Sequence, residues 1–281
     1  MERRQPDEVV QAWRESAPFW EKHRETVRLM FAPMTDALVE EARITRGMNV
    51  LDVACGSGEP GLTLAEIVGS NGSVTCTDII SEMVAATQQA AADRGLTNMK
   101  FRQCGADALP FDENTFDATV CRLGAMFFPD PVAGLRKMLR VTKPDRKVAL
   151  AVWHNSESNP LFHVVTDVLD RYIESSPDDP DAPGAFRFAQ PGTLVRLLKE
   201  AGAANVSERI VEFRITAPVS LDEFWTVRSE LSDTVRQKLA QIDKSLHTRA
   251  RQEVLEAARC FFPDGKMNFP AKAIIGSGVK V

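Results

Sequence analysis

The chain has 281 residues, enough for one large domain or two small ones at roughly 100–200 residues each. Its 34 Lys and Arg against 39 Asp and Glu leave a formal charge of −5, which argues against a general nucleic-acid binder with a basic phosphate-contacting surface. Hydrophobic residues at 44% and charged residues at 26% suit a globular chain with a real core, and no apolar run nears the roughly 20 residues that span a bilayer. The opening MERRQPDEVVQAW has acidic and polar residues where a signal peptide needs an apolar stretch, so the expected location is cytoplasmic. Five cysteines (Cys55, Cys76, Cys104, Cys121, Cys260), without a CxxC pair, suggest neither a disulfide framework nor a zinc knuckle, and no metal site is expected.

Residues 1–45 are rich in helix formers and are expected to form an N-terminal helical cover. Trp13, Phe19 and Trp20 either cover a ligand or anchor the first helix on the core; Phe19 and Trp20 are the candidate lid residues. From residue 46 to 281 a single ligand-binding domain is expected, with lid insertions at 155–190 and 219–263. Its first half alternates short apolar runs, NVLDVA (49–54), SVTCTD (73–78), MKFRQC (99–104), FDATVC (116–121) and KVALAVW (147–153), with helical patterns. Near-continuous apolar strands between helices indicate a doubly wound parallel α/β sheet covered on both faces. Leu194, Leu197, Leu198 and Ala201 predict a helix closed by Gly202. VSERIVEFRI (206–215) and AKAIIGSGV (271–279) read as two further strands, and SSPDDPDAPG (175–184) as a surface loop.

The densest chemical signal is VLDVACGSGEPG (50–61), where Gly56, Gly58 and Gly61 form GxGxxG between a strand and a helix. Such glycines let the backbone turn tightly and approach a bound cofactor. Asp78 ends the second strand twenty residues after Gly58, where a carboxylate can accept both ribose hydroxyls of an adenosine. Its alternative role is helix N-capping, in competition with Ser81. The site would serve NAD or S-adenosylmethionine. Three details favour the latter: Asp52, placed to attract a cationic amino end; Asp107, placed to accept from an adenine amine; and no second dinucleotide half downstream.

The sequence resembles class I S-adenosylmethionine-dependent methyltransferases, within them the ubiquinone/menaquinone C-methyltransferase-like small-molecule group. The likeness rests on VLDVACGSG, CTDIISEM, GADALPFDENTFDATVCRLGAMFFPDP and LRVTKPDRKVALAVW, and is strong over residues 45–153. It implies a Rossmann-like seven-stranded sheet, mostly parallel with the last strand antiparallel, carrying helical lid insertions. It also implies that Ala54, Gly56, Ser57 and Gly58 wrap the methionine end of S-adenosylmethionine and that Asp78 holds the ribose. Ile79 and Met83 would pack near the adenine, Gly105, Ala106 and Asp107 would read its edge, and Arg122 and Leu123 would line the floor. Where that family commonly has Pro-Gly-Gly-Arg, this chain has Pro144-Asp145-Arg146-Lys147, so the turn there is expected to change shape.

His154 directly follows the fifth strand, on the side where open α/β sheets bind ligands, and is the candidate general base. His23, His163 and His247 read as surface or packing residues. Four cysteines at strand ends read as small core residues, with Cys121 the first exception to consider because it borders the site. The string SNPLF lacks the second proline and follows the wrong strand for an adenine amino-methyltransferase motif, and no Pro-Cys dipeptide is present for cytosine C5 chemistry. The expected function is methyl transfer to a small organic acceptor, an activated carbon or phenolic oxygen on an aromatic, quinol-like or natural-product molecule. A catalytically silent S-adenosylmethionine-binding module acting through a partner is the alternative, and an NAD-dependent oxidoreductase stands third.

Overall fold

The computed structural model describes residues 6–173 and 181–281. Seven strands form one sheet: β1 (Asn49–Val53), β2 (Ser73–Asp78), β3 (Met99–Gln103), β4 (Phe116–Arg122), β5 (Thr142–Trp153), β6 (Ala204–Ala217) and β7 (Met267–Val279). Their order is β3-β2-β1-β4-β5-β7-β6. β7 runs antiparallel to both β5 and β6, and the remaining pairs are parallel. The unbroken apolar runs explain the centre of this order: β1, β2 and β4 are buried almost throughout, as strands covered on both faces must be. β6 alternates half-buried and exposed side chains along much of its length, which suits the edge it occupies.

β5 starts at Thr142, earlier than the run KVALAVW indicates, directly after α5 (Pro131–Val141). Asp145 takes φ 61, in the left-handed region that aspartate tolerates better than most residues. Its N–H donates to the Lys280 carbonyl at 2.9 Å, and the Lys280 N–H donates to the Arg146 carbonyl at 2.9 Å. Backbone bonding to the end of the chain therefore holds this extension, which side-chain hydrophobicity alone does not announce.

Helices cover both faces. α3 (Gly61–Val68), α4 (Ser81–Asp93), α5 and α7 (Thr193–Ala201) follow the sequence pattern, with Asp130 Oδ1 accepting from Ala133 N–H at the start of α5 and Gly202 closing α7 at φ 100. The expected N-terminal cover divides in two. α2 (Arg24–Ala42) lies against the sheet, and Met30, Met34 and Leu38, one turn apart, are buried. Each such burial contributes about 1.5–3 kcal/mol, so α2 is core. α1 (Pro6–Lys22) instead packs on α4 through Ala17, Ile80 and Met83, with Val10, Trp13 and Trp20 around them.

The insertion at 155–190 carries α6 (Pro160–Leu169), and residues 174–180 of its proline-rich loop lie outside the described residues. The insertion at 219–263 folds into α8 (Leu221–Leu231), α9 (Asp233–Gln241) and α10 (His247–Ala258). A Ser220–Glu223 capping box starts α8. These three helices pack on one another and on α6, and α8 also meets α1.

Candidate functional site

The glycine turn leaves β1 at the point where the strand order reverses, between β1 and β4, the position at which open α/β sheets form a crevice. Ala54 and Gly56 have φ 58 and 54. The turn is held by backbone bonds from Cys55 N–H to the Thr77 carbonyl at 3.0 Å and from Gly58 N–H to the Cys55 carbonyl at 3.1 Å. Thr87 Oγ1 donates to the Gly56 carbonyl at 2.8 Å. Arg24, at the start of α2, donates from Nε to the Ser57 carbonyl at 2.7 Å and from Nη2 to the Ala86 carbonyl at 2.9 Å. A Cβ on Gly56 would meet nothing within 4 Å. Its backbone therefore faces open space that a ligand can approach closely.

That space is a cavity of about 210 Å³. Ala54, Gly56 and Ser57 from the turn, Asp78, Ile79 and Met83 after β2, Gly105, Ala106 and Asp107 after β3, and Arg122 and Leu123 at the end of β4 all line it. Asp78 Oδ2 accepts from Gly56 N–H and Oδ1 from Ile80 N–H, each at 2.9 Å. Burial pushes the Asp78 carboxyl upward, against the pull of the Ile80, Gly56 and Ile79 N–H groups. Ser81 does not compete, because its Oγ donates to Glu82 at 2.8 Å. Asp78 thus performs the turn-forming role, and each of its oxygens retains a lone pair for a ligand hydroxyl. Ile79 is 48% exposed, an apolar side chain standing in the cavity wall.

Arg122 is buried, donating from Nη1 to Thr35 Oγ1 at 2.8 Å and from Nη2 to the Glu59 carbonyl at 3.0 Å. Burial lowers its pKa, against the pull of Glu59 and Asp52. Leu123 sits at φ 62 with its N–H bonded to the Ala151 carbonyl at 2.8 Å. Aromatic rings close the other side. Trp13 lies 5.0 Å from Phe127 and 5.6 Å from Trp20, centroid to centroid, and all three line the cavity. Trp20 Nε1 is buried without a hydrogen-bond partner.

Four candidates lie outside the cavity wall. Asp52 is fully buried behind the turn and its two oxygens have no hydrogen-bond partner. A Cβ on Gly61 would stand 2.9 Å from Asp52 Oδ2, so only glycine fits between this carboxyl and α3. Burial pushes Asp52 up to about 8, with Arg122 the main opposing charge. Gly58, at φ 124, turns the chain behind the wall. Phe19 faces away, beneath the Arg236 guanidinium at 5.3 Å, because it sits about 100° around α1 from Trp20. His154 bonds through Nδ1 to Asn155 Oδ1 at 3.0 Å and through its N–H to the Lys272 carbonyl at 3.1 Å. Those contacts hold the strand end and leave the imidazole outside the cavity.

Arg24 and Glu59 also line the cavity and were not singled out in the sequence. Glu59 lies inside the glycine motif, its side chain held by Thr63 Oγ1 at 2.7 Å and Arg94 Nη1 at 3.3 Å. Arg24 belongs to no local motif; only the folded chain brings it to Ser57. Cys55, Cys76 and Cys121 are buried, and burial drives Cys121 up to about 12, which suits core filling over thiolate chemistry. Among the described residues no three His, Cys, Asp or Glu side chains converge as a metal site, and no helix is long and apolar enough to cross a membrane.

Residues 44–181 match the profile of a methyltransferase domain family. A ubiquinone/menaquinone biosynthesis C-methyltransferase of Shewanella woodyi is 36% identical over 135 residues, 48% of this chain and 52% of that protein. The chain spans about half the length of the curated relatives it matches. Among solved structures, the YcgJ protein of Bacillus subtilis superimposes with a TM-score of 0.54 at 21% identity, over 88% of this chain and 97% of that one. An S-adenosylmethionine-dependent methyltransferase of Aquifex aeolicus does so at 0.50 and 21% identity, over 74% and 92%. These structures share the fold, and the sequence match is to a methyltransferase domain family over residues 44–181.

Proposed function

We propose that the chain moves the methyl group of S-adenosylmethionine to a small organic acceptor, at an activated carbon or a phenolic oxygen. The observation that carries this reading is the Asp78 carboxylate bonded to the Gly56 N–H of the glycine turn, in the wall of a cavity closed by Trp13 and Trp20. When bound, S-adenosylmethionine supplies a methyl group already activated on a sulfonium. The chain's own residues bind, orient and exclude water. Ala54, Gly56 and Ser57 face the methionine end, Asp78 the ribose, and Ile79 with Gly105, Ala106 and Asp107 the adenine. Positioning of this kind lowers a barrier by up to about 7–11 kcal/mol.

With His154 outside the cavity, loss of the acceptor's proton rests on the acceptor's own acidity. That favours activated carbons and acidic phenols over simple alcohols. The C-methyltransferase name of the Shewanella relative supports a carbon acceptor. The test is incubation with labelled S-adenosylmethionine and a panel of quinols, phenols and amines, with calorimetric titration of S-adenosylhomocysteine alongside. Acceptor-dependent label transfer supports the reading. Absence of binding heat and of thermal stabilisation at millimolar ligand sinks it.

A further inference from the structure

Arg24 lines the cavity beside the glycine turn, and two carbonyls fix the direction of its guanidinium. α1 ends at Lys22, His23 leaves helical geometry at ψ 14, and α2 begins at Arg24. That break sets the side chain across the turn, where Nε donates to the Ser57 carbonyl at 2.7 Å and Nη2 to the Ala86 carbonyl at 2.9 Å. A guanidinium carries five N–H donors. Two of them are engaged by these carbonyls, and Nη1 donates to no acceptor among the described residues.

The carbonyls orient this group without compensating its charge. Its one ion pair among the described residues joins Nη2 to Glu21 Oε1 at 3.9 Å, and the Glu21 side chain stands largely in solvent, where such a pair contributes little. Arg122, the other arginine in the wall, is buried and turned onto Thr35 and the Glu59 carbonyl. The remaining charged residues of the wall are the acids Glu59, Asp78, Asp107 and Asp130. Arg24 is therefore the half-buried cation through which this wall can take an anion. Two carbonyls need only donors, which a neutral amide also supplies; a permanent charge in a planar fork is what a carboxylate uses.

We propose that Arg24 holds the carboxylate at the methionine end of S-adenosylmethionine, so that the chain selects against ligands that keep the adenosine and the amine but lack that carboxylate. This rests on the methyl-transfer reading above. The guanidinium is tied to the Ser57 carbonyl of the turn that this reading assigns to the methionine end, and it shares the open cavity with the Gly56 backbone. Because Arg24 belongs to α2, a helix of the main core, the contact would couple the cofactor to a segment far from the glycine motif in sequence. Lysine at this position would supply charge without the fork.

The experiment titrates S-adenosylhomocysteine and its decarboxylated form, which keeps the adenosine, thioether and amine, calorimetrically into the full chain. The wild type is expected to bind S-adenosylhomocysteine about tenfold more tightly or better, the low end of what a hydrogen bond to a charged group supplies. Arg24→Gln is expected to abolish that preference and Arg24→Lys to keep part of it. Loss of the bracing bonds to Ser57 and Ala86 would weaken both ligands alike, so the ratio of the two affinities isolates the carboxylate contact. Equal binding of the two ligands to the wild type overturns the proposal, as does a preference that survives in Arg24→Gln. Should Arg24→Gln fail to fold, Arg24→Lys decides, and an unchanged ratio there overturns it. 2-Naphthoate tests the other source of a carboxylate: if Arg24→Gln weakens its binding and leaves the cofactor ratio unchanged, the guanidinium serves the acceptor and the proposal falls. If neither nucleoside binds the wild type, the methyl-transfer reading falls with the proposal; if both bind alike, that reading stands and only the Arg24 assignment falls.

Discussion

The Asp78 carboxylate reaches back across the parallel β1–β2 pair to accept the Gly56 N–H at 2.9 Å. One side chain thereby shapes the turn and lines the cavity beside it, where the proposed function puts the ribose. Asp78→Asn keeps the size but removes the charge and, with a single acceptor oxygen, turns a donor toward one of the two N–H groups of Gly56 and Ile80. Affinity for S-adenosylhomocysteine should fall by about 1.5–3 kcal/mol, the range for hydrogen bonds to a charged group. Calorimetry checks this, and an unchanged dissociation constant would move the ribose contact to another residue.

Asp52 leads to a pH prediction. Its folded pKa of about 8 lies above the ordinary carboxyl range. Between those values the folded chain holds a proton that the unfolded chain has released, so stability falls as pH rises. A single such group contributes a slope of up to about 1.4 kcal/mol per pH unit. Asp52→Asn removes the titration, so denaturant unfolding at pH 6 and pH 8 should show a smaller loss in the variant than in the wild type. Identical losses would mean that Asp52 does not set the slope.

Much of this arrangement was legible in the sequence because it is local. Residues 50–61 carry a strand, a turn and a helix start in one stretch, and Asp78, Gly105 and Asp107 follow their strands at the same end of the sheet. What was not legible depends on how separate segments meet. Asp52 is buried behind the turn while its neighbour Val53 lines the cavity, since alternate residues of β1 point to opposite faces. Arg24 reaches Ser57 and Ala86 only because α2 crosses over the turn. The long β6–β7 ladder extends past its apolar runs because backbone pairing continues from Ile215↔Phe269 to Ala217↔Met267.

His154 offers a direct check on where the chemistry lies. Its ring is bonded to Asn155, outside the cavity. His154→Ala should leave turnover within a few-fold of the wild type once an acceptor is known, with a pH profile of the same shape. A loss on the order of 10²–10⁴-fold, the contribution of a general base, would show that the residue swings into the site during turnover.

The two N-terminal helices should respond differently to ligand. α1 touches the cavity through Val9, Val10, Trp13 and Trp20, and its contacts to α4 run through the small group of Ala17, Ile80 and Met83. α2 is built into the main core through Met30, Met34 and Leu38. Local opening follows the number of buried apolar contacts that must be broken, so α1 opens at lower free energy than α2. A ligand that packs beneath Trp13 and Trp20 adds contacts to the loosely held α1, whereas Arg24, Val27 and Phe31 meet it from a helix already fixed in the core, and closure over a reacting pair excludes water. Hydrogen exchange with and without S-adenosylhomocysteine should therefore show new protection across residues 9–20 and little change across 30–38. Equal protection of α1 in both states would make it a fixed wall of the site, and acceptor entry would then have to come from the side of α6 and α8.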